Sequence, residues 1–455
     1  MNYTPSVSAI EGLSEQMARQ MQGVTQQLGA AMSGEQGTLV ALEQAVLHAV
    51  KTLGNLLLAG LCSLYVPKYV EPSRPCACGG VATYQRLREG TTQTVLGAVK
   101  LKRPYYLCAD CHQGGCPLDP TLGFCAGGSS AGLQAVMALV GVEFPFEAAA
   151  EVLQKLTLVE VSPNSCRKAT EALGQVVAAE EAAAVAAAWD AKHTTLPAVS
   201  EAIVGDFYIS MDGVTVHIEG EGWKNQWLGA VYTTQATAGV QRPEYLEVRT
   251  RQPSFYTDLT DIETFGRHLW VEAERRGLAQ AKQVIVIGDG AQWIWKQAEQ
   301  HFPAATQILD WYHASTYAWK AANAIYGEGT DLAKHCAKQQ LDLLWTGQVQ
   351  TVLKRLQPYT DHKPAVRDTL TYFRNNQHRM RYDHYRTQGW QIGSGTIESG
   401  CKHVIAARLK QAGMRWSRNG ARWVAKLRTR LKSRRWPQTI AAAPNPTRSY
   451  HRKAA

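Results

Sequence analysis

The stretch Gln283–Pro303, QVIVIGDGAQWIWKQAEQHFP, ends an apolar run on a single carboxylate. Val284–Gly288 has the length and composition of a buried strand, and Asp289 follows it directly, before a glycine. An amphipathic stretch begins at once, so the segment predicts a strand, a tight loop and a helix. An isolated Asp at a strand end more often caps a turn than takes part in catalysis. The neighbouring elements decide between these two interpretations.

The chain from Ile203 onward predicts a mixed α/β core. Three strands are predicted at DFYISMDGVTVHIEG, NQWLGAVYTTQ and PEYLEVRTR, followed by a helix over Thr257–Arg276. The strand before Asp289, the helix AQWIWKQAEQHF and the short strand TQILD come next. This order, β-β-β-α-β-α-β-α, is that of the ribonuclease H fold, in which the first and fourth strands are neighbours. Asp212 and Asp289 are therefore expected to face each other at one end of the sheet.

Two carboxylates placed that close together require a cation to neutralise them. Oxygen ligands with open positions suit Mg²⁺, and a site for two such ions needs a third carboxylate. The segment GWQIGSGTIESGCK offers Glu398 near the start of a late helix. Its alternative role is that of an acid at a helix N-terminus, where it would complement the helix dipole. The long interval between Asp289 and Glu398 predicts a helical insertion over residues 314–390.

Four cysteines in two short pairs predict a structural zinc site. Cys76 and Cys78 form C-x-C, and Cys108 and Cys111 form C-x2-C after alternating, strand-like sequence. Two turns that each deliver a pair of thiolates are typical of a tetrahedral zinc ribbon with one Zn²⁺. Cys116 and Cys125 are alternative ligands. Four unrelated buried thiols are the other interpretation, and the turn residues beside each pair disfavour it.

The C-terminal part of the chain is strongly basic. The net charge is +10, and no Asp or Glu follows Glu398. This pattern indicates a surface that binds nucleic acid, because the nearby sequence offers these cations no acidic partner. A solvated basic tail is the alternative, which the interleaved tryptophans disfavour. The residues predicted to contact DNA are Lys402, Arg408, Lys410, Arg415, Trp416, Arg418 and Arg422.

The most apolar window, Leu39–Val66, predicts a packed amphipathic helix better than a membrane span, because it contains Glu43, His48 and Lys51. The first residues are too polar for a signal peptide, and cysteines in such a chain argue for a reducing compartment. A cytoplasmic protein is therefore expected.

Six motifs occur together in one order: SMDG, IGDGAQWIW, LDWYHA, NNQHRMRY, GSGTIESGCK and GMRWS. In this combination the sequence resembles bacterial insertion-sequence transposases of the Kra group, which are DDE enzymes related to Mutator-like transposases. The resemblance covers nearly the whole chain and places the catalytic triad, with its two Mg²⁺ ions, on Asp212, Asp289 and Glu398. It also places an auxiliary D-x2-H motif on Asp310 and His313. The C-x-C pair at Cys76 departs from the longer first knuckle expected for this group.

The resemblance implies a transposase that cleaves the ends of its element and joins the 3′ hydroxyls to target DNA. Its partners would be double-stranded DNA, as terminal inverted repeats and target, and further copies of the chain, because two ends must be paired. A nucleoid-associated location and no contact with membranes are implied. Two alternatives stay open: a structure-selective nuclease or resolvase of the same fold, and a domesticated, inactive, zinc-containing DNA-binding regulator.

The sequence predicts a multidomain α+β protein with seven segments. They are an N-terminal helical segment (1–70), a zinc-ribbon-like module (71–125), a helix-turn-helix-like DNA-binding region with a linker (130–196), the first part of a ribonuclease H-like core (203–313), the helical insertion (314–390), the end of the core with a basic helix (391–436) and a basic tail (437–455).

Overall fold

The computed structural model describes residues 7–32, 38–67, 69–125, 127–190, 202–238, 246–442 and 450–451. The chain is a mixed α+β protein with two sheets and many helices, and it divides into two compact units. The first unit comprises Met1–Thr170 and Ala442–Ala455, and the second comprises Glu171–Ala441. The predicted linker residues beyond Asp190 lie outside the described residues, as do Arg448, Arg452 and Lys453 of the predicted basic tail.

The first unit begins with two long helices followed by a small antiparallel sheet in the order β1-β2-β3-β4-β10. Its elements are α1 (Val7–Met32), α2 (Leu39–Leu64), β1 (Ser73–Pro75), β2 (Val81–Thr94), β3 (Gly97–Cys108), β4 (Gln113–Gly115), α3 (Leu118–Leu122), α4 (Ala131–Glu143), α5 (Phe146–Thr157), the start of α6 (Pro163–Val185) and β10 (Tyr450–His451). Helix α6 begins at Pro163, and Ser162 Oγ accepts the Ser165 amide at 3.1 Å.

Helix α2 is the one described helix whose length and composition would allow it to cross a membrane. Its apolar residues Leu58, Ala59 and Cys62 pack against the sheet residues Val99 and Leu101. Glu43 and Lys51 lie within the helix, as the sequence shows. The C-terminal part of this helix therefore packs on the sheet, whereas Leu39, Val40 and Val50 nearer its start are exposed.

The second unit is built on a five-stranded sheet in the order β7-β6-β5-β8-β9. Strands β7, β6 and β5 are antiparallel neighbours, whereas β5, β8 and β9 run parallel. The core elements are β5 (Phe207–Ile218), β6 (Gly222–Ala238), β7 (Leu246–Asp258), α7 (Ile262–Arg275), β8 (Val284–Gly288), α8 (Gln292–His301), β9 (Thr306–Leu309) and α9 (Trp311–Tyr326). The predicted order of strands and helices is confirmed, as is the pairing of the first and fourth strands of this unit.

One boundary in this region differs from the prediction. The sequence predicts a helix from Thr257, but β7 continues to Asp258 because Thr257 and Asp258 still pair with β6. Helix α7 begins only after Asp261, whose side chain accepts the Thr264 amide as an N-cap. Residues 243–245 of the predicted strand PEYLEVRTR lie outside the described part of the chain.

The region between β9 and Glu398 is helical, as predicted. It contains the remainder of α9 and then α10 (Asp331–Trp345), α11 (Val349–Leu356), α12 (Pro364–Asn376) and α13 (Tyr382–Thr387). The chain then returns to the sheet through α14 (Gly395–Gly400), a π-helical stretch (Cys401–Ala406) and α15 (Ala407–Leu409). It ends in α16 (Arg418–Lys432), which packs on β7, and α17 (Trp436–Ala441).

Candidate functional site

The register of the parallel strands aligns three acidic residues at one edge of the sheet. The last pair between β5 and β8 is Ser210 with Ile287, so two further residues on each strand bring Asp212 opposite Asp289. Between β8 and β9 the last pair is Gly288 with Leu309, so one further residue brings Asp289 opposite Asp310. The residue that follows the apolar run of β8, Asp289, therefore lies between Asp212 and Asp310.

The loop after β8 explains why a glycine follows Asp289. Gly290 has a φ of +100°, and a Cβ there would lie 2.5 Å from the ring of Tyr372. The Tyr372 hydroxyl donates a hydrogen bond to the Asp289 carbonyl oxygen at 2.5 Å. The Asp289 carboxylate accepts the Ala291 amide at 2.9 Å. A left-handed, closely covered position of this kind accepts little besides glycine, and the loop holds Asp289 at the sheet edge.

Asp212 is a half-buried carboxylate in the middle of β5. Its Oδ1 atom accepts the Gly213 amide at 2.7 Å, and its Oδ2 atom accepts a hydrogen bond from Cys401 Sγ at 3.3 Å. Burial raises the pKa of Asp212, and the negative charge of Asp289 raises it further. A carboxylate whose charged form is disfavoured by burial and by a neighbouring acid is stabilised by a nearby cation.

Asp310 is fully buried and both of its carboxylate oxygens are engaged. Oδ1 accepts the Ser394 amide at 2.6 Å, while Oδ2 accepts the His313 amide at 2.8 Å and lies 2.7 Å from His313 Nδ1. The hydrogen bond to Asp310 raises the pKa of His313, with Asp289 and Glu398 acting in the same direction. Asp310 therefore fixes both the His313 ring and the loop that leads to Glu398.

Glu398 lies on α14, and its Oε1 atom accepts a hydrogen bond from Ser394 Oγ at 2.9 Å. One ligand atom from each of Asp310, His313 and Glu398 lies within 4.8 Å of the other two. The predicted set of Asp212, Asp289 and Glu398 does not form so tight a group within the described ranges. All five residues nevertheless lie around one edge of the sheet, because Asp212, Asp289 and Asp310 follow neighbouring strands in register, and His313 and Glu398 lie beside Asp310.

The hydrogen bonds distinguish ligands from supporting residues within this group. Both oxygens of Asp310 already have partners, so a metal ion would have to displace a hydrogen bond there. Asp289 Oδ2 and Glu398 Oε2 accept no hydrogen bond from the part of the chain that the structure describes. Oxygen donors with open positions suit Mg²⁺, so the site fits a divalent cation, to which Asp289 and Glu398 each offer a free oxygen. At Asp212, as at Asp310, the ion would have to displace a hydrogen bond.

The four predicted cysteine ligands also come together. The Sγ atoms of Cys76, Cys78, Cys108 and Cys111 all lie within 4.8 Å of one another. Cys76 Sγ is 3.6 Å from Cys111 Sγ, and Cys78 Sγ is 3.7 Å from Cys108 Sγ. Tetrahedral zinc with Zn–S bonds of about 2.3 Å has edges of about 3.8 Å between its sulfur ligands, so this group fits one zinc ion. Neither alternative ligand, Cys116 nor Cys125, is part of it.

The basic residues after Glu398 divide into exposed and engaged side chains. Lys402, Lys410 and Arg415 are exposed. Arg408 is almost fully buried, and its guanidinium lies over the ring of Trp416. Trp416 is itself buried and donates its indole N–H to the Leu409 carbonyl oxygen at 3.2 Å.

Two of the predicted DNA contacts have acidic partners, and the expectation that none exists is wrong for them. Arg418 forms an ion pair with Glu221 at 2.5 Å, and Arg422 forms one with Asp258 at 2.6 Å. The partners belong to the β5–β6 turn and the end of β7, and they are far away in sequence. A sequence window around either arginine could not reveal them.

Three residues at the site were not singled out from the sequence. Cys401 contacts Asp212, Ser394 contacts Glu398 and Asp310, and Tyr372 contacts the Asp289 carbonyl oxygen. Ser394 and Cys401 belong to the quoted motif around Glu398, with Cys401 three residues after the glutamate on the same helical face. No comparable signal marks Tyr372, since its contact depends on how α12 packs.

The fold and these groups define a mixed α+β protein with two candidate metal-binding sites, one of four thiols and one of carboxylates with an imidazole. The chain belongs to the uncharacterised protein family UPF0236, which it matches over residues 81–435.

Similar proteins include three UPF0236 proteins of Caldanaerobacter subterraneus subsp. tengcongensis, each 25% identical to the chain over 162 residues. The matched part is 33% of this chain and 31% of the first two relatives, or 30% of the third. The chain therefore spans about a third of the length of these relatives. Their names join four, eleven and two locus labels respectively.

Proposed function

We propose that this protein is a DNA transposase of the DDE type with a ribonuclease H-like catalytic core. The observation that carries the proposal is the alignment of Asp212, Asp289 and Asp310 across three parallel strands, with Glu398 brought to the same edge. The strand order β7-β6-β5-β8-β9 and the late glutamate on a helix support that core. The six motifs that resemble Kra-group transposases agree with the same assignment.

The relatives' names offer independent support. One name joins eleven locus labels of a single bacterium. Several loci that share one protein name are expected for a gene that copies itself around a genome, as insertion sequences do. A housekeeping enzyme or regulator has no comparable reason to occur at so many loci.

The proposed reaction is hydrolysis of a phosphodiester at each element end, which frees a 3′ hydroxyl, followed by attack of that hydroxyl on target DNA. Asp212, Asp289 and Glu398 would hold two Mg²⁺ ions, which supply activation of the attacking oxygen and stabilisation of the leaving oxygen. Ser394 orients Glu398 and Cys401 orients Asp212. Asp310 holds His313 and the Ser394 amide in place. No covalent link between protein and DNA is needed, so no tyrosine or serine nucleophile is assigned.

The other parts of the chain take roles in binding DNA. The four cysteines, with β2 and β3 between their pairs, would form a zinc ribbon that supports recognition of the terminal repeats, together with the helices α4 to α6. The exposed cations Lys402, Lys410 and Arg415 would contact phosphates. Two chains or more would pair the two ends in the cytoplasm, on the nucleoid.

The test is a cleavage and joining assay on DNA that carries the native ends of the element, with and without Mg²⁺. Asp212→Asn, Asp289→Asn and Glu398→Gln should each lower the rate by orders of magnitude while DNA binding survives. Asp331→Asn, which changes an exposed acid on α10, is the matched control and should keep full activity.

Three outcomes would contradict the proposal. Full activity of the Glu398→Gln variant would move the third ligand to Asp310. Cleavage of branched junctions without joining of element ends would favour the resolvase alternative. Specific DNA binding without any metal-dependent cleavage by the wild-type chain would favour an inactive regulator.

A further inference from the structure

A cavity of about 360 Å³ lies at the turn between β5 and β6 and is separate from the candidate active site. Its lining includes His217, Trp223, Lys410 and Arg415. Trp223 is a large aromatic side chain that is 64% exposed. An exposed tryptophan beside two lysine or arginine side chains is the combination on which single-stranded nucleic acids stack.

The backbone holds this cavity in a fixed shape. Trp223 lies directly opposite His217 in the β5–β6 ladder, and the His217 ring meets the indole edge-on at 5.4 Å. The loop that carries Lys410 and Arg415 is tied to the same turn, because the Trp416 amide donates to the His217 carbonyl oxygen at 3.3 Å and the Glu219 amide donates to the Trp416 carbonyl oxygen at 2.9 Å. Trp223, Lys410 and Arg415 together form what we call the platform. A binding surface that is ordered before the ligand arrives loses less entropy on binding.

The charges around the cavity favour an anionic ligand. Lys410 Nζ lies 5.9 Å from the centre of the Trp223 ring, and Arg415 is exposed. Among the described residues neither cation takes part in an ion pair, whereas the nearby Glu221 is already paired with Arg418. The platform can therefore accept a neutral aromatic group on Trp223 and a phosphate beside Lys410 or Arg415.

We propose that Trp223, Lys410 and Arg415 bind an unpaired nucleotide of the DNA strand, with its base stacked on Trp223 and its phosphate at the two cations. This inference rests on the proposed function, since it assumes that the chain acts on DNA. Trp223 pairs with His217, which lies five residues beyond Asp212 on β5. That separation is about 17 Å along the strand, or the rise of roughly five stacked nucleotides. The stacked base would belong to a nucleotide close to the cleaved bond.

The test measures binding of the full chain to a fluorescent oligothymidylate and to a matched duplex, without added Mg²⁺ so that no cleavage occurs and without a chelator so that the zinc site is left intact. Trp223→Ala should weaken single-strand binding about tenfold and change duplex binding little, whereas Trp223→Phe should keep most of the affinity. Lys410→Gln/Arg415→Gln should lower the slope of log affinity against log salt by about 1.4 on the single strand. The control Lys354→Gln/Arg355→Gln removes two exposed charges on α11 and should leave the slope unchanged.

A photo-crosslink identifies the contact directly. An oligonucleotide with 5-iodouracil should cross-link to Trp223 in the wild-type chain, and peptide mass spectrometry reports the residue. Equal loss of single-strand and duplex binding by Trp223→Ala would overturn the inference, as would cross-linking elsewhere with unchanged affinity. Failure of the proposed function is distinguishable, because a chain that binds single strands through Trp223 but never cleaves retains this inference alone. Unchanged binding by a Trp223→Ala variant that still cleaves element ends removes the inference alone.

Discussion

At the residue scale, Cys401 is a side chain whose role depends on the carboxylate beside it. Burial raises the pKa of this thiol far above its ordinary value, and the neighbouring Asp212 raises it further. Cys401 therefore stays protonated at neutral pH and can donate its hydrogen bond to Asp212 Oδ2. A buried carboxylate that loses a donor becomes harder to keep ionised, and Asp212 must be ionised to bind a cation.

We predict that Cys401→Ala lowers the rate of cleavage about tenfold, whereas Cys401→Ser, which keeps a donor, retains most of it. The reason is that one hydrogen bond to a charged group contributes roughly 1.5–3 kcal/mol. The measurement is the cleavage rate as a function of Mg²⁺ concentration. The alanine variant should need more Mg²⁺ for half-maximal rate.

Cys336→Ala on α10 is the control, because that thiol lies on another helix and is only half-buried. Equal rates for the alanine and serine variants at all Mg²⁺ concentrations would show that the contact with Asp212 has no part in the reaction.

Some individual residues at the site could be predicted from the sequence, and others could not. Asp212 and Asp289 were predictable, because each is a lone acid associated with an apolar strand. The structure places them opposite each other, since their separation of 77 residues equals the register shift between β5 and β8. The pairing of Arg418 with Glu221 was not predictable, since it depends on how the last helix packs against a distant turn. Local sequence patterns predict helices and strands, whereas contacts between distant elements can be identified only from the structure.

At the element scale, α16 shows why a basic stretch is not by itself a basic surface. The stretch has no acidic residue, yet Lys426 and Arg428 on this helix are almost fully buried. Lys426 Nζ lies 2.9 Å from Asp258 of β7 and 2.6 Å from Glu181 of α6. Arg428 donates to the His403 carbonyl oxygen at 2.5 Å. These side chains hold the helix against the sheet, so they are unavailable to phosphate.

Arg435, between α16 and α17, is joined to α7 by a buried ion pair, which predicts a pH dependence of stability. Arg435 lies 3.2 Å from both carboxylate oxygens of Glu272, and Arg275 lies 2.7 Å from one of them. Burial alone would raise the pKa of Glu272, but the two arginines outweigh it and lower the pKa to about 2. An unfolded glutamate titrates near 4.3. The stabilisation is therefore complete above about pH 4.3 and is lost as the pH falls towards 2.

We predict that Glu272→Gln lowers the free energy of unfolding at pH 7 by roughly 3–5 kcal/mol, because it leaves Arg435 buried without a charged partner. At pH 3 the difference from the wild type should be smaller, since the wild type is losing the same interaction. Urea unfolding at the two pH values measures both effects. Asp331→Asn at an exposed site should change stability little at either pH. A Glu272→Gln difference that stays constant or grows at pH 3 would contradict the assignment.

At the scale of the whole molecule, the two candidate metal groups belong to different units. The four thiols lie in Met1–Thr170 and the carboxylates lie in Glu171–Ala441. The two groups also differ in chemistry, because thiolates retain zinc tightly whereas carboxylates exchange Mg²⁺ readily. The mixed fold and the cysteine pairs were predictable from the sequence, since paired cysteines and strand patterns are local. The division of the chain within α6 has no sequence marker, because no break in the helix accompanies it.

The last prediction follows from that separation. The purified chain should contain one tightly bound zinc ion, and a Cys108→Ser/Cys111→Ser variant should contain none. Loss of the ion should lower the melting temperature of the first unit, because β2 and β3 are joined to the neighbouring turns through these cysteines. The second unit has its own sheet and core, so its melting temperature should not change. Calorimetry with and without a strong chelator separates the two transitions, and elemental analysis counts the metal.

The control is Cys125→Ser, which removes a thiol of the same unit that lies outside the four-cysteine group. This variant should keep both the zinc ion and the melting temperature of the first unit. A chain without zinc, or a chelator that shifts both transitions equally, would contradict a structural zinc site confined to the first unit.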